Sequence, residues 1–99
     1  MHVIAKRTLR EHWEKPGRED SQEPLEAWYA EAKSALWRNF GDIKQTSATA
    51  SGVANNRVVL NIGGNKYRLI VKINYPGGIV FIRFVGTHQE YDRIDARSI

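Results

Sequence analysis

Between Arg57 and Tyr75 apolar and polar residues alternate on either side of a Gly63-Gly64 pair. Extended strands send successive side chains to opposite faces, so this run must become a sheet with two chemically different sides. Glycine accepts the positive φ that both centres of a tight hairpin demand, and Gly63-Gly64 therefore predicts a two-residue turn between strands 57–62 and 66–75. Lys66, Arg68, Ile70, Lys72 and Asn74 then share one side of the second strand, while Tyr67, Leu69, Val71, Ile73 and Tyr75 share the other. That loop length sets Asn61 opposite Lys66, Val59 opposite Arg68 and Arg57 opposite Ile70. Tyr75-Pro-Gly-Gly78 predicts a second turn into a strand over 79–85, which places Arg83 opposite Ile70. One side of the expected sheet is wet and cationic. The other side gathers Val58, Leu60, Ile62, Leu69, Val71, Val80, Ile82 and Phe84 and needs covering.

Helices in the first half of the chain are the cover. Residues 2–5 read as a short opening strand. Leu9, His12 and Trp13 recur at helical spacing over 6–15, and Pro16-Gly17 ends that segment. Ser21 is placed to cap a second helix from about Pro24 to Asn39, with Pro24 tolerated in its first turn. Leu25, Trp28, Tyr29, Ala32, Ala35, Leu36 and Phe40 form its apolar stripe, and Gly41 is expected to stop it. Trp28 and Trp37 read as packing residues. Residues 42–56 lack a period and predict an irregular connection. Thr87 to Ile94 reads as a short terminal helix or turn, with Thr87 as its cap. The expected class is α+β, a mainly antiparallel sheet with two N-terminal helices on one face. A length of 99 residues predicts one domain, 1–99.

The charge distribution says more than the net +4. Residues 1–42 carry seven Lys/Arg and eight Asp/Glu, and residues 90–99 carry two and three. From Ile43 to Gln89 there are six Lys/Arg and no acid at all. A face of one sign suits phosphate or an acidic protein. Cysteine is absent, which removes disulfides and thiolate metal sites and is compatible with a reducing cytoplasm. No apolar run reaches the roughly 18–20 residues of a membrane span, and no apolar stretch after the first charges predicts a signal peptide. His2, His12 and His88 lack metal-ligand spacing, so no metal or cofactor is expected.

Paired through the predicted register, Arg57, Asn61, Lys66, Arg68, Lys72 and Arg83 share the wet face, with His88 and Tyr91 at its rim. Metal-independent RNA cleavage needs these residue types. A base takes the 2′-OH proton, an acid serves the leaving oxygen, and cations stabilise the phosphorane. Histidine transfers protons near neutrality, arginine forks onto phosphate, and tyrosine stacks on bases or donates its hydroxyl. The alternative is a non-catalytic basic module that binds ribosomal RNA or an acidic protein partner. That reading explains the cations but assigns no work to His88 and Tyr91.

Asn61-Ile-Gly-Gly-Asn-Lys-Tyr-Arg-Leu69 followed by Phe84-Val-Gly-Thr-His-Gln-Glu-Tyr-Asp92 resembles the HigB group of RelE-like toxins, as do Trp13 and Leu25-Glu-Ala-Trp-Tyr29. The resemblance implies the RelE fold and the toxin of a type II toxin–antitoxin system, an mRNA endoribonuclease acting on translated messages with the help of the ribosome. It implies a HigA-type helix-turn-helix antitoxin as partner. It also implies Arg68, His88 and Tyr91 as the catalytic set, Lys66 and Arg83 as phosphate supports, and Lys72, Arg57 and Asn61 as RNA contacts. Which of His88, Tyr91 and Lys66 moves each proton stays open.

Overall fold

The computed structural model describes residues 1–99. In chain order the elements are β1 (His2–Ile4), α1 (Lys6–Trp13), a 3₁₀ turn (Glu19–Ser21), α2 (Gln22–Ser34), α3 (Phe40–Thr46), β2 (Ser51–Val53), β3 (Arg57–Ile62), β4 (Tyr67–Asn74), β5 (Ile79–Thr87) and α4 (His88–Tyr91). The five strands form one sheet in the order β1-β5-β4-β3-β2. β1 runs parallel to β5 and every other pair is antiparallel, so the sheet is mixed. The class is α+β with four helices: the two expected near the N-terminus, α4 where a short terminal helix or turn was expected, and α3, which was not expected.

The extra elements lie where no period was legible. α2 ends at Ser34, and Ala35 turns extended at φ −78° and ψ 158°. The amino group of Met1 donates to the carbonyls of Ala32, Lys33 and Ala35, meeting acceptors that a helix end leaves unpaired. From Ala35 the chain is extended, so neighbours alternate sides. Trp37 is buried, while Leu36 is 86% exposed rather than part of the stripe. Asn39 then caps α3, its Oδ1 accepting the Asp42 amide at 3.0 Å. Gly41 therefore sits inside a helix instead of stopping one; the cap outweighs a glycine penalty of about 1 kcal/mol. The predicted irregular connection 42–56 holds most of α3 and all of β2.

The hairpin differs in length but not in parity. Asn61 lies opposite Arg68 and Ile62 opposite Tyr67, leaving a four-residue loop, Gly63 to Lys66. Gly63 and Gly64 take positive φ as expected, at 63° and 69°. Lys66, predicted on the second strand, belongs to the loop. The register moves by two residues, which preserves which side chains share a face. Val58, Leu60, Ile62, Tyr67, Leu69, Val71 and Ile73 accordingly join Leu9, Leu25, Trp28, Trp37 and Ile43 in the main core.

Parity breaks in β5. Val71 lies opposite Ile82 but Ile70 lies opposite Phe84, so Arg83 is an unpaired bulge residue and not the partner of Ile70. Phe84, predicted on the helix side, crosses to the other face. There Val59, Ile70 and Ala96 form a second buried cluster with Phe84, Tyr91, Ile94 and Ile99 against it. The face expected to be wet is thus covered along much of its length by the C-terminal segment 91–99.

Gly86 lies between the two arms of this arrangement. A Cβ there would stand 2.6 Å from Phe84 Cζ and 2.7 Å from Glu90 Oε1. Gly86→Ala is expected to cost about 1–3 kcal/mol through overpacking, read as a lower thermal midpoint.

Candidate functional site

The hairpin and α4 meet at one end of the second face. Arg68, on β4, donates from Nη1 to Asn61 Oδ1 across the ladder and to Asn65 Oδ1 in the loop at 3.0 Å. Asn65 Oδ1 also lies 3.2 Å from His88 Nε2. As an acceptor this oxygen receives a hydrogen bond from Nε2–H, so in the neutral imidazole Nδ1 holds the free lone pair. The Arg68 guanidinium carbon stands 5.7 Å from the centroid of the Tyr91 ring. Asn61, Asn65, Arg68, His88 and Tyr91 form one connected group. Asn65 was predicted only as a turn residue, and it becomes the link because the loop is long enough to carry it back over the strand.

Local structure explains why α4 delivers its residues here. Thr87 caps the helix, accepting the Glu90 amide at 3.2 Å, while Glu90 Oε1 accepts the Thr87 amide at 2.9 Å. Thr-x-x-Glu is the spacing of a capping box. His88 is its first helical residue and Tyr91 its last.

The remaining candidates divide. Lys66 leaves the group: Nζ donates to Asp20 Oδ2 at 2.5 Å, and the ammonium lies 5.4 Å from the Tyr67 ring centroid. Its pKa is raised, chiefly by that hydrogen bond, and Asp20 is lowered by the same contact and by the Tyr67 hydroxyl. Arg57 is buried rather than wet. Its Nε donates to the backbone oxygen of Ile99 at 2.9 Å, and Arg83 Nε donates to the same oxygen at 3.3 Å. Lys72 lies opposite Arg57 and is exposed. Four residues along β4 separate it from Arg68, about 13 Å at strand rise.

Charge pairing separates the cations again. Neither Arg68 nor Lys72 has an Asp or Glu carboxylate within 4.0 Å, whereas Lys66 and Arg18 do, and Arg57 and Arg83 share the Ile99 oxygen. Neutral amides hold Arg68 without cancelling its charge. One surface cleft reaches Asn61 and another Arg57, but none is lined by Arg68, His88 or Tyr91. An open, positively charged surface suits a polymer better than an enclosed small molecule. No three His, Cys, Asp or Glu side chains gather as metal ligands, and no helix is long and apolar enough to cross a membrane.

Residues 21–94 match the HigB toxin family, the RelE-like toxic component of a toxin–antitoxin system. The chain belongs to that family. It is a toxin-family protein, and membership implies an antitoxin as partner. No curated protein matches the chain. The matched span contains the whole group around Arg68, while β1, α1 and most of the 3₁₀ turn precede it.

One buried titratable group supports the site from behind. Ser21 stands at the N-cap position of α2 as expected, but its Oγ donates to the Arg18 carbonyl at 2.7 Å and so accepts from His12 Nδ1 at 2.9 Å, and makes no cap hydrogen bond. His12 Nε2 has no partner, and the ring meets Tyr67 edge-on at 5.0 Å. Burial, with Arg18 and Lys15 nearby, lowers the His12 pKa to about 4. The folded value lies below the unfolded one, so this contribution is complete above pH 6.5 and is lost as pH falls toward 4. Urea midpoints are expected to drop across that window by a stability of up to about 2–3 kcal/mol, and His12→Gln is expected to flatten the dependence between pH 6.5 and 4.5.

Proposed function

We propose that this toxin is a metal-independent endoribonuclease that cuts messenger RNA during translation. The observation that carries the reading is the contact of one amide oxygen, Asn65 Oδ1, with both an unneutralised arginine and a histidine. A purely electrostatic RNA binder needs cations but no proton-transfer group tied to one of them. Members of RelE-like families are generally ribonucleases, which favours the same conclusion.

In the proposed reaction a base accepts the 2′-OH proton and the 2′-oxygen attacks phosphorus. The new O–P bond forms as the P–O5′ bond breaks, and an acid protonates the departing 5′-oxygen. The products are a 2′,3′-cyclic phosphate, or the 3′-phosphate from its hydrolysis, and a 5′-hydroxyl. Arg68 stabilises the charge that accumulates on the phosphorane oxygens. His88 and Tyr91 supply the proton transfers. Lys66 is the weaker candidate for that work because Asp20 holds its ammonium. Asn61 keeps Arg68 in register. Exposed Lys72 and Arg83 extend the phosphate track, and Arg57 joins it where the Ile99 oxygen is displaced.

The ribosome would present the message in an extended form that an open surface can engage. A HigA-type helix-turn-helix antitoxin is the proposed partner, one toxin domain spanning 1–99, with the cytoplasm as its place of action. Purified protein with translating ribosomes should yield 5′-hydroxyl ends inside translated codons. Arg68→Ala and His88→Ala should each slow cleavage by about 10²–10³. Ends bearing 5′-phosphate and 3′-hydroxyl, or full cleavage by folded Arg68→Ala, would overturn the mechanism. Salt-sensitive RNA binding with no cutting by the unaltered protein would favour the non-catalytic module.

A further inference from the structure

The turn that joins α1 to α2 touches both halves of the candidate site. From one side Arg18 grips Glu90 with a two-pronged ion pair, Nη1 to Oε1 at 2.9 Å and Nη2 to Oε2 at 3.0 Å. Glu90 belongs to α4, between His88 and Tyr91. From the other side Asp20 takes the hairpin. Its Oδ1 accepts the Tyr67 hydroxyl at 2.6 Å and its Oδ2 accepts Lys66 Nζ at 2.5 Å. Lys66 and Tyr67 stand in sequence between Asn65 and Arg68. The turn is itself fastened to the interior, since Ser21 is fully buried and bonded to both His12 and the Arg18 carbonyl.

Stability is a poor account of the Lys66–Asp20 pair. Lys66 and Asp20 are each more than half exposed, and exposed pairs contribute about 0–1 kcal/mol. Direction is a better account. A guanidinium fork on a carboxylate defines orientation as well as distance. α4 has four residues, too few to hold a helical geometry unaided, and the hairpin loop is glycine-rich. Yet the 3.2 Å contact from His88 to Asn65 spans these two short segments. The β4–β5 ladder holds their bases together, with Thr87 opposite Tyr67, and contacts beyond that ladder aim their tips.

We propose that residues 18–21 form a positioning bracket, in which Arg18 sets His88 and Tyr91 through Glu90 while Asp20 sets Asn65 and Arg68 through Lys66 and Tyr67. Arg18 and Asp20 both precede Ser21, the first residue of the family match, so the two gripping side chains lie outside the matched span. The same pairing occupies Asp20 and Glu90, keeping two carboxylates off Arg68. The geometry stands independently, and its catalytic consequence rests on the ribonuclease reading. Arg18 and Asp20 are positioning residues.

The test uses full-length Arg18→Met, Arg18→Lys and Asp20→Asn proteins, read by RNA cleavage and by NMR of the His88 imidazole and the Asn65 side-chain amide without RNA. Misplacing a reacting group by about 1 Å costs on the order of 10² in rate. Arg18→Met is expected to lower kcat about 10–100-fold with KM little changed and to shift both NMR signals. Arg18→Lys should recover part of the rate, and Asp20→Asn should lose about 3–10-fold. Normal kcat in Arg18→Met, with Arg68→Ala inactive, overturns the bracket and leaves the ribonuclease reading intact. If the unaltered protein cuts no RNA, that reading fails and the NMR signals decide the bracket: shifted signals beside unchanged core methyls uphold it, and unmoved signals overturn it. Should Arg18→Met fail to fold, Glu90→Gln carries the same readouts, because its amide oxygen can keep the Thr87 contact while the ion pair loses its charge.

Discussion

Both faces of the central sheet carry apolar side chains, and both must be covered. One face is closed by α1, α2 and α3 over Leu60, Leu69 and Val71. The other exposes Val59, Ile70 and Phe84, and burying each large side chain is worth about 1.5–3 kcal/mol. That demand draws residues 91–99 back across the sheet. The end near the hairpin tip stays open, and there Arg68, Asn65, His88 and Tyr91 meet. The site is what remains after the second face has been closed.

Closure also redistributes charge. Arg57 and Arg83 donate to the Ile99 oxygen, Lys66 is drawn to Asp20, and Glu90 is held by Arg18. Arg18 and the Thr87 amide together lower the Glu90 pKa to about 2. Carboxylates at the margin are consumed in pairs, and the central arginine is left with neutral partners. A phosphate approaching Arg68 meets an uncancelled charge whose orientation two asparagines have already set. Preorganisation of that kind is what a developing phosphorane charge requires.

Much of this was legible in residue order. Alternation over 57–75 placed Arg57, Asn61, Arg68 and Lys72 on one face, and a hairpin register displaced by two residues did not disturb the assignment. Thr87 announced the cap of α4, and the structure adds Glu90 as its partner. Phe84 was misplaced because the bulge at Arg83 leaves no mark in the hydrophobic pattern, where one extra residue simply reverses parity. Leu36 was misplaced because an extended stretch succeeds α2 without a proline or glycine to announce it. The partners of Asn65 and Glu90 were not visible in residue order.

Sequence alone determined strand periodicity, the acid-free segment from Ile43 to Gln89, and the family to which the chain belongs. These are properties of neighbours along the chain, governed by backbone geometry and composition. Tertiary structure decided that Arg68 and His88 share Asn65, that the second face is half covered, and that a turn at residues 18–21 reaches residues 66, 67 and 90. Such contacts join groups 23 to 72 positions apart. No local preference encodes them; they exist only where packing of both faces has fixed the distance between elements.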